Sequence, residues 1–109
     1  MNTSAESYEA ALEQACATIA NNAPAVDRDG VFPSASIEAL KEAGLVGVLS
    51  AVESGGLGLG LAGAARVVRR VAEECGSTAM VLTMHYCGAA VLEAHGPPRF
   101  AAKPRPALT

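Results

Sequence analysis

The chain has 109 residues, enough for one domain of ordinary size, and half of them are hydrophobic while only 4% are aromatic. A formal net charge of -3 gives no basic patch for nucleic acid or an anionic membrane, so neither is expected as a partner. Three cysteines, Cys16, Cys75 and Cys87, are odd in number and widely spaced in apolar surroundings, which excludes a disulfide frame and reads as small buried hydrophobes in a reducing, cytoplasmic compartment.

The opening MNTSAESYEAALEQ has neither the basic start nor the apolar core of a secretory signal. Abundant alanine, glycine and leucine favour closely packed helices over a sheet sandwich. The first helix is predicted to begin near Thr3, where Thr3, Ser4, Ala5 and Glu6 fit a capping box. Tyr8, Leu12, Ala15, Cys16 and Ile19 recur at helical spacing, and Pro24 after Asn21, Asn22 and Ala23 is expected to end the helix. Residues 25–32 read as a polar connector in which Asp27, Arg28 and Asp29 form a solvated turn rather than a charged site. Pro33 and Ser34 then open a second helix over 35–43, with Ile37, Leu40 and the alanines inward. Gly44 closes it as a left-handed cap followed by the hydrophobic Leu45.

Gly55, Gly56, Gly58 and Gly60 crowd the end of the segment 45–60 and demand a tight loop. Gly58, Gly60 and Gly63 have the spacing of a dinucleotide fingerprint, with 45–49 as its strand. The acid expected about 20 residues on falls near Met80, in a helical stretch, so glycines for close helix packing are the better reading. A third helix is predicted over 61–75, its inward stripe formed by Leu61, Ala64, Ala65, Val68, Val71, Ala72 and Cys75. Arg66, Arg69, Arg70, Glu73 and Glu74 take the opposite face; the arginine run could hold a phosphate or a CoA tail, but a solvated face laced with weak ion pairs is the simpler account. Gly76 and Ser77 make a short turn, with Ser77 as cap, so the next helix is expected to pair antiparallel with the third.

That next stretch, 75–92, carries no formal charge and is about the shortest length that could cross a bilayer as a helix. Thr78, Thr83, His85 and Tyr86 make it too polar for a typical span, so it is expected to be the central buried helix, with the first helix laid against it. Met80, Met84, Cys87 and Val91 share one face, and Gly88, Ala89 and Ala90 permit a close crossing. His85 and His95 with Cys75 and Cys87 could number four metal ligands, but His85 and Cys87 diverge on a helix, so no metal is expected. No catalytic residue stands out, and Cys87 has no positive sequence neighbour to activate it. Residues 97–109, with four prolines and no periodicity, read as an extended or disordered tail to a domain spanning 1–96. The expected fold is all-α, a small bundle of about four helices with an irregular C-terminal tail.

Several phrases in this order resemble the N-terminal helical domain of the acyl-CoA dehydrogenase family. They are Phe32-Pro33 before a helix; Leu40-Lys41-Glu42-Ala43-Gly44-Leu45-Val46-Gly47; and Glu53-Ser54-Gly55-Gly56-Leu57-Gly58-Leu59-Gly60. Val71 to Ala79, then Thr83-Met84-His85 and Gly96, continue the series. The resemblance implies a flavoenzyme of three parts, in which a carboxylate takes the α proton of an acyl-CoA while flavin adenine dinucleotide (FAD) takes the hydride. It places the carboxylate and most flavin contacts outside this domain, so the chain alone is expected to retain no FAD, to be inactive, and to meet acyl-CoA only within a complete enzyme. The Pro97-Pro98 tail departs from the family pattern and reads as a truncated or frame-shifted end. Registered on Gly88 and Gly96, the positions similar to the family's pocket-lining ones are Ala79, Met80, Thr83 and Cys87, and helical spacing puts 80, 83 and 87 on one side. The alternatives are that these residues only pack the core, that the chain is a small helical module docking on a flavoprotein partner or on its own copy, or that it is the equivalent domain of a flavin-dependent monooxygenase.

Overall fold

The computed structural model describes residue 4 and residues 7–96, so the expected capping box and the tail 97–109 lie outside the described residues. Four helices make up the fold: α1 (Tyr8–Asp29), α2 (Ser34–Glu42), α3 (Gly60–Ala72) and α4 (Gly76–His95). Two 3-10 turns, Leu45–Gly47 and Val52–Ser54, lie between α2 and α3, and there is no strand among the described residues. The helices pack as two pairs, α1 with α2 and α3 with α4, around one shared core. The all-α expectation holds, but the layout differs from it in instructive places.

α1 begins at Tyr8, not near Thr3; Ser4 and Ser7 instead pair locally, the Ser4 amide donating to Ser7 Oγ at 3.0 Å and the Ser7 amide to the Ser4 carbonyl at 3.1 Å. Its inward stripe of Tyr8, Leu12, Ala15, Cys16 and Ile19 is as the spacing predicts. The helix does not stop at Pro24 but runs through it to Asp29. Proline inside a helix costs about 3 kcal/mol, since it has no N–H to give to the carbonyl four residues back. Here that carbonyl belongs to Ala20, and both residues lie on the exposed side, open to solvent. Val26, two residues further on, is buried, worth roughly 1.5–3 kcal/mol, and Gly30 (φ 63°) caps the end by donating to the Val26 carbonyl at 3.0 Å. Burial and cap together outweigh the local signal. Asp27, Arg28 and Asp29 are thus helical, although solvated as expected, with Arg28 on Asp29 at 2.9 Å.

α2 matches its predicted span to within a residue, and Gly44 (φ 75°) closes it as a left-handed cap. Leu40 and Ser36 are its buried residues, whereas Ala35 is exposed. The glycine segment folds back on the chain through backbone bonds. Leu57 donates to the Gly47 carbonyl at 2.9 Å, Gly58 to Ser50 at 2.8 Å and Leu59 to Val48 at 2.9 Å.

On α3 the buried face is Gly63, Ala64, Val67 and Val71, so the stripe is rotated from the expected one. Leu61, Ala65 and Ala72 are exposed, and Leu61 is 75% exposed. Gly63 is the glycine that serves close packing, because a Cβ there would lie 3.1 Å from Val48 Cγ1. Arg70 gathers the expected ion pairs, with Glu73 at 3.5 Å and Glu74 at 3.3 Å, and adds a two-pronged contact to Glu13 of α1 at 2.9 and 3.0 Å. That hydrogen bond holds the Glu13 carboxyl below the usual carboxylate range.

α4 is capped by Cys75, not Ser77: the Sγ accepts from the Thr78 amide at 3.5 Å and from the Thr78 hydroxyl at 3.2 Å. It is not a central helix wrapped on all sides, and α1 lies chiefly against α2 rather than on it. Thr78, Ala79, Leu82, Tyr86 and Ala89 face inward. On the other side Met80, Met84 and Val91 are 63%, 62% and 59% exposed, and Gly88 and Cys87 are exposed as well. Gly88 therefore supports no helix crossing among the described residues, and of the three cysteines only Cys16 and Cys75 are buried. No helix of the described residues is long and apolar enough to cross a membrane.

Candidate functional site

Some of the apolar residues that the core leaves outside, Leu61 and Val91 among them, gather in one place. α3 and α4 form a hairpin whose outer seam is an open groove of about 690 Å³, within the ordinary range for small-molecule sites. Leu61, Ala64, Ala65, Val68 and Arg69 line it from α3; Thr83, Tyr86, Cys87, Ala90 and Val91 line it from α4. Short linkage makes the helices antiparallel, so Leu61 and Val91 mark one end while Val68, Arg69 and Thr83 mark the other. Among the described residues no carboxylate lines the groove.

The floor is fixed by two side chains of α4 that reach the first 3-10 turn. The Tyr86 hydroxyl donates to the Leu45 carbonyl at 2.5 Å, and a ring nitrogen of His85 lies 3.0 Å from the Val46 carbonyl. Burial pushes the Tyr86 phenol well above its usual range, so it stays a donor. Tyr86→Phe leaves the buried Leu45 carbonyl without this donor, and is expected to lower stability by about 1–3 kcal/mol in urea unfolding. In the wild type, an unfolded tyrosine ionises above about pH 10 while folded Tyr86 keeps its proton. Stability therefore falls as pH rises past that point, and the variant should lose less. Equal stability of the two proteins at neutral pH would contradict the assigned bond.

Of the four residues expected to line a pocket, the structure brings two into the groove. Thr83 is half-buried and Cys87 exposed, both on the lining; the Thr83 hydroxyl is turned back to donate to the Ala79 carbonyl at 2.8 Å. Ala79 faces the core, and Met80 is exposed outside the groove lining. Sequence reasoning missed Leu61, Ala65, Val68, Arg69, Tyr86, Ala90 and Val91 as a set. A signal was present: α3 has more apolar positions than one buried stripe requires, and the surplus is what lines the groove.

Elsewhere the backbone amides of residues 55–59 are turned inward on their own loop and not toward a ligand. The amides of Gly55, Gly56, Leu57, Gly58 and Leu59 all donate to carbonyls between Gly47 and Val52. Asp27, Glu73 and Glu74 line a second hollow of about 530 Å³ beside Cys75, but no group of three metal-binding side chains converges among the described residues.

Comparison with known proteins decides the family. The family model described as acyl-CoA dehydrogenase, N-terminal domain, matches residues 3–108. The chain belongs to the acyl-CoA dehydrogenase family, through its N-terminal domain. No curated protein and no solved structure matches it. The four-helix arrangement is that of an all-α acyl-CoA dehydrogenase N-terminal domain, and the family match takes in residues 97–108 as well as the helices.

Proposed function

We propose that this domain forms one wall of the acyl pocket of a flavin-dependent oxidoreductase acting on the CH–CH bond of an acyl-CoA, in the cytoplasm. The observation that carries this reading is the apolar groove between α3 and α4, which is sized for an alkyl chain and carries Thr83 and Cys87 on its lining. In the complete enzyme FAD would accept the hydride. The amides of residues 55–59 already donate within their own loop, and among the described residues no carboxylate on the groove stands ready to take an α proton. The chain alone is therefore proposed to be inactive.

Two measurements test this. The protein purified with added FAD should emerge from gel filtration colourless and reduce no dye with an acyl-CoA. Cys87 is the one exposed cysteine of the three, so its maleimide labelling reports on the groove. Decanoyl-CoA should slow that labelling while CoA alone does not. Retained flavin, dye reduction, or labelling indifferent to decanoyl-CoA would count against the reading. A second reading, docking on a flavoprotein partner or a second copy, draws on the exposed Leu61, Met80, Met84 and Val91. A monodisperse monomer by native mass measurement would exclude self-association.

A further inference from the structure

The three arginines of α3 go three ways. Arg70 is held by Glu13, Glu73 and Glu74. Arg66 lines a hollow against α1 that Glu9 and Glu13 also line. Arg69 lines the apolar groove, and the described residues give it no ion pair. It stands at one end, beside Val68 and Thr83, while the far end, at Leu61 and Val91, is apolar among the described residues. From residue 61 to residue 69 a helix advances roughly 12 Å. The groove therefore has the polarity of an amphiphile: a cationic end, then an apolar run.

We infer that the groove takes a straight-chain fatty carboxylate, its head on Arg69 and its chain running toward Leu61 and Val91. A guanidinium presents paired donors that fit a carboxylate two-pronged, and a thioester, being uncharged, has no such claim on it. This rests on the acyl reading for the chain in the groove, and goes beyond it in giving the ligand an anionic head with a named partner.

The test is calorimetric titration of the full chain with decanoate below its micellar concentration and with decanol below its solubility limit. Wild type should bind decanoate about 3–5-fold more tightly than decanol, the size expected of a solvent-exposed ion pair. Arg69→Gln should abolish that preference and leave decanol unchanged. Ala65→Phe, at an exposed position, should weaken both by filling the seam, with circular dichroism confirming that each variant folds. Equal affinity of wild type for the two probes, no decanoate binding, or a preference that survives Arg69→Gln overturns the inference. Cys87 protection by decanoyl-CoA without decanoate binding would overturn this inference alone. Decanoate binding without that protection would instead overturn the acyl-CoA reading.

Discussion

Gly56→Ala is expected to destabilise the chain by about 3 kcal/mol or more, a large share of the roughly 5–15 kcal/mol that holds a domain folded. A Cβ at this position would lie 2.6 Å from the Gly47 carbonyl oxygen and closer still to that of Ser50. Neither oxygen is free to retreat. The first accepts from Leu57 at 2.9 Å and from Ser50 at 3.2 Å, and the second accepts from Gly58 at 2.8 Å. Making room costs at least two of these bonds, about 1 kcal/mol each, in addition to the overpacking. Gly76→Ala is the matched control, because nothing lies within 4 Å of the added carbon and its φ is not left-handed. Urea unfolding followed by circular dichroism should show Gly56→Ala far below wild type and Gly76→Ala within about 0.5 kcal/mol of it. A Gly56→Ala protein as stable as the control would mean the loop is not folded as described.

Leu82→Ala and Met84→Ala should differ sharply although they sit two residues apart on the same helix. Leu82 is 1% exposed and belongs to the core cluster around Val67, Val71 and Tyr86. Truncating it removes buried methyl groups and leaves a cavity, at about 2–5 kcal/mol. Met84 faces out, and its loss in the isolated chain should cost within about 0.5 kcal/mol. Comparable losses at both positions would restore the picture of a helix enclosed on all sides. In a complex that covers the outer face of α4, Met84→Ala should instead weaken association.

That contrast also shows where the sequence was informative. α1 repeats its larger apolar residues at three- and four-residue spacing, with Glu9 and Glu13 off that face, so Tyr8, Leu12, Ala15, Cys16 and Ile19 were legible as its buried stripe. Gly44 was legible too, since a glycine followed by leucine at a helix end has one common geometry. α4 is apolar on every side, so its periodicity carries no direction. Which half is covered depends on what the rest of the chain can reach, and the described residues cover one half only. On α3 the alanines at 64 and 65 are equivalent by composition; Val67, pointing inward with Ala64, settles the rotation only once α3 is set against α4. Pro24 misled for the opposite reason: its local effect is real but smaller than the burial and cap that lie beyond it. The two-pronged contact from Arg70 to Glu13 spans 57 positions and has no local signature at all.

Burial on α4 stops at Ala89. No residue from 90 to 95 is buried, whereas Tyr86 and His85 hold the middle of the helix to the turn at Leu45 and Val46. The seam between α3 and α4 is thus stiff near Arg69 and Thr83 and yielding near Val91, because segments with few buried contacts open locally at little cost. Anything lodged there is oriented at one extremity and accommodated at the other, so tail length should be tolerated far more readily than a change of head.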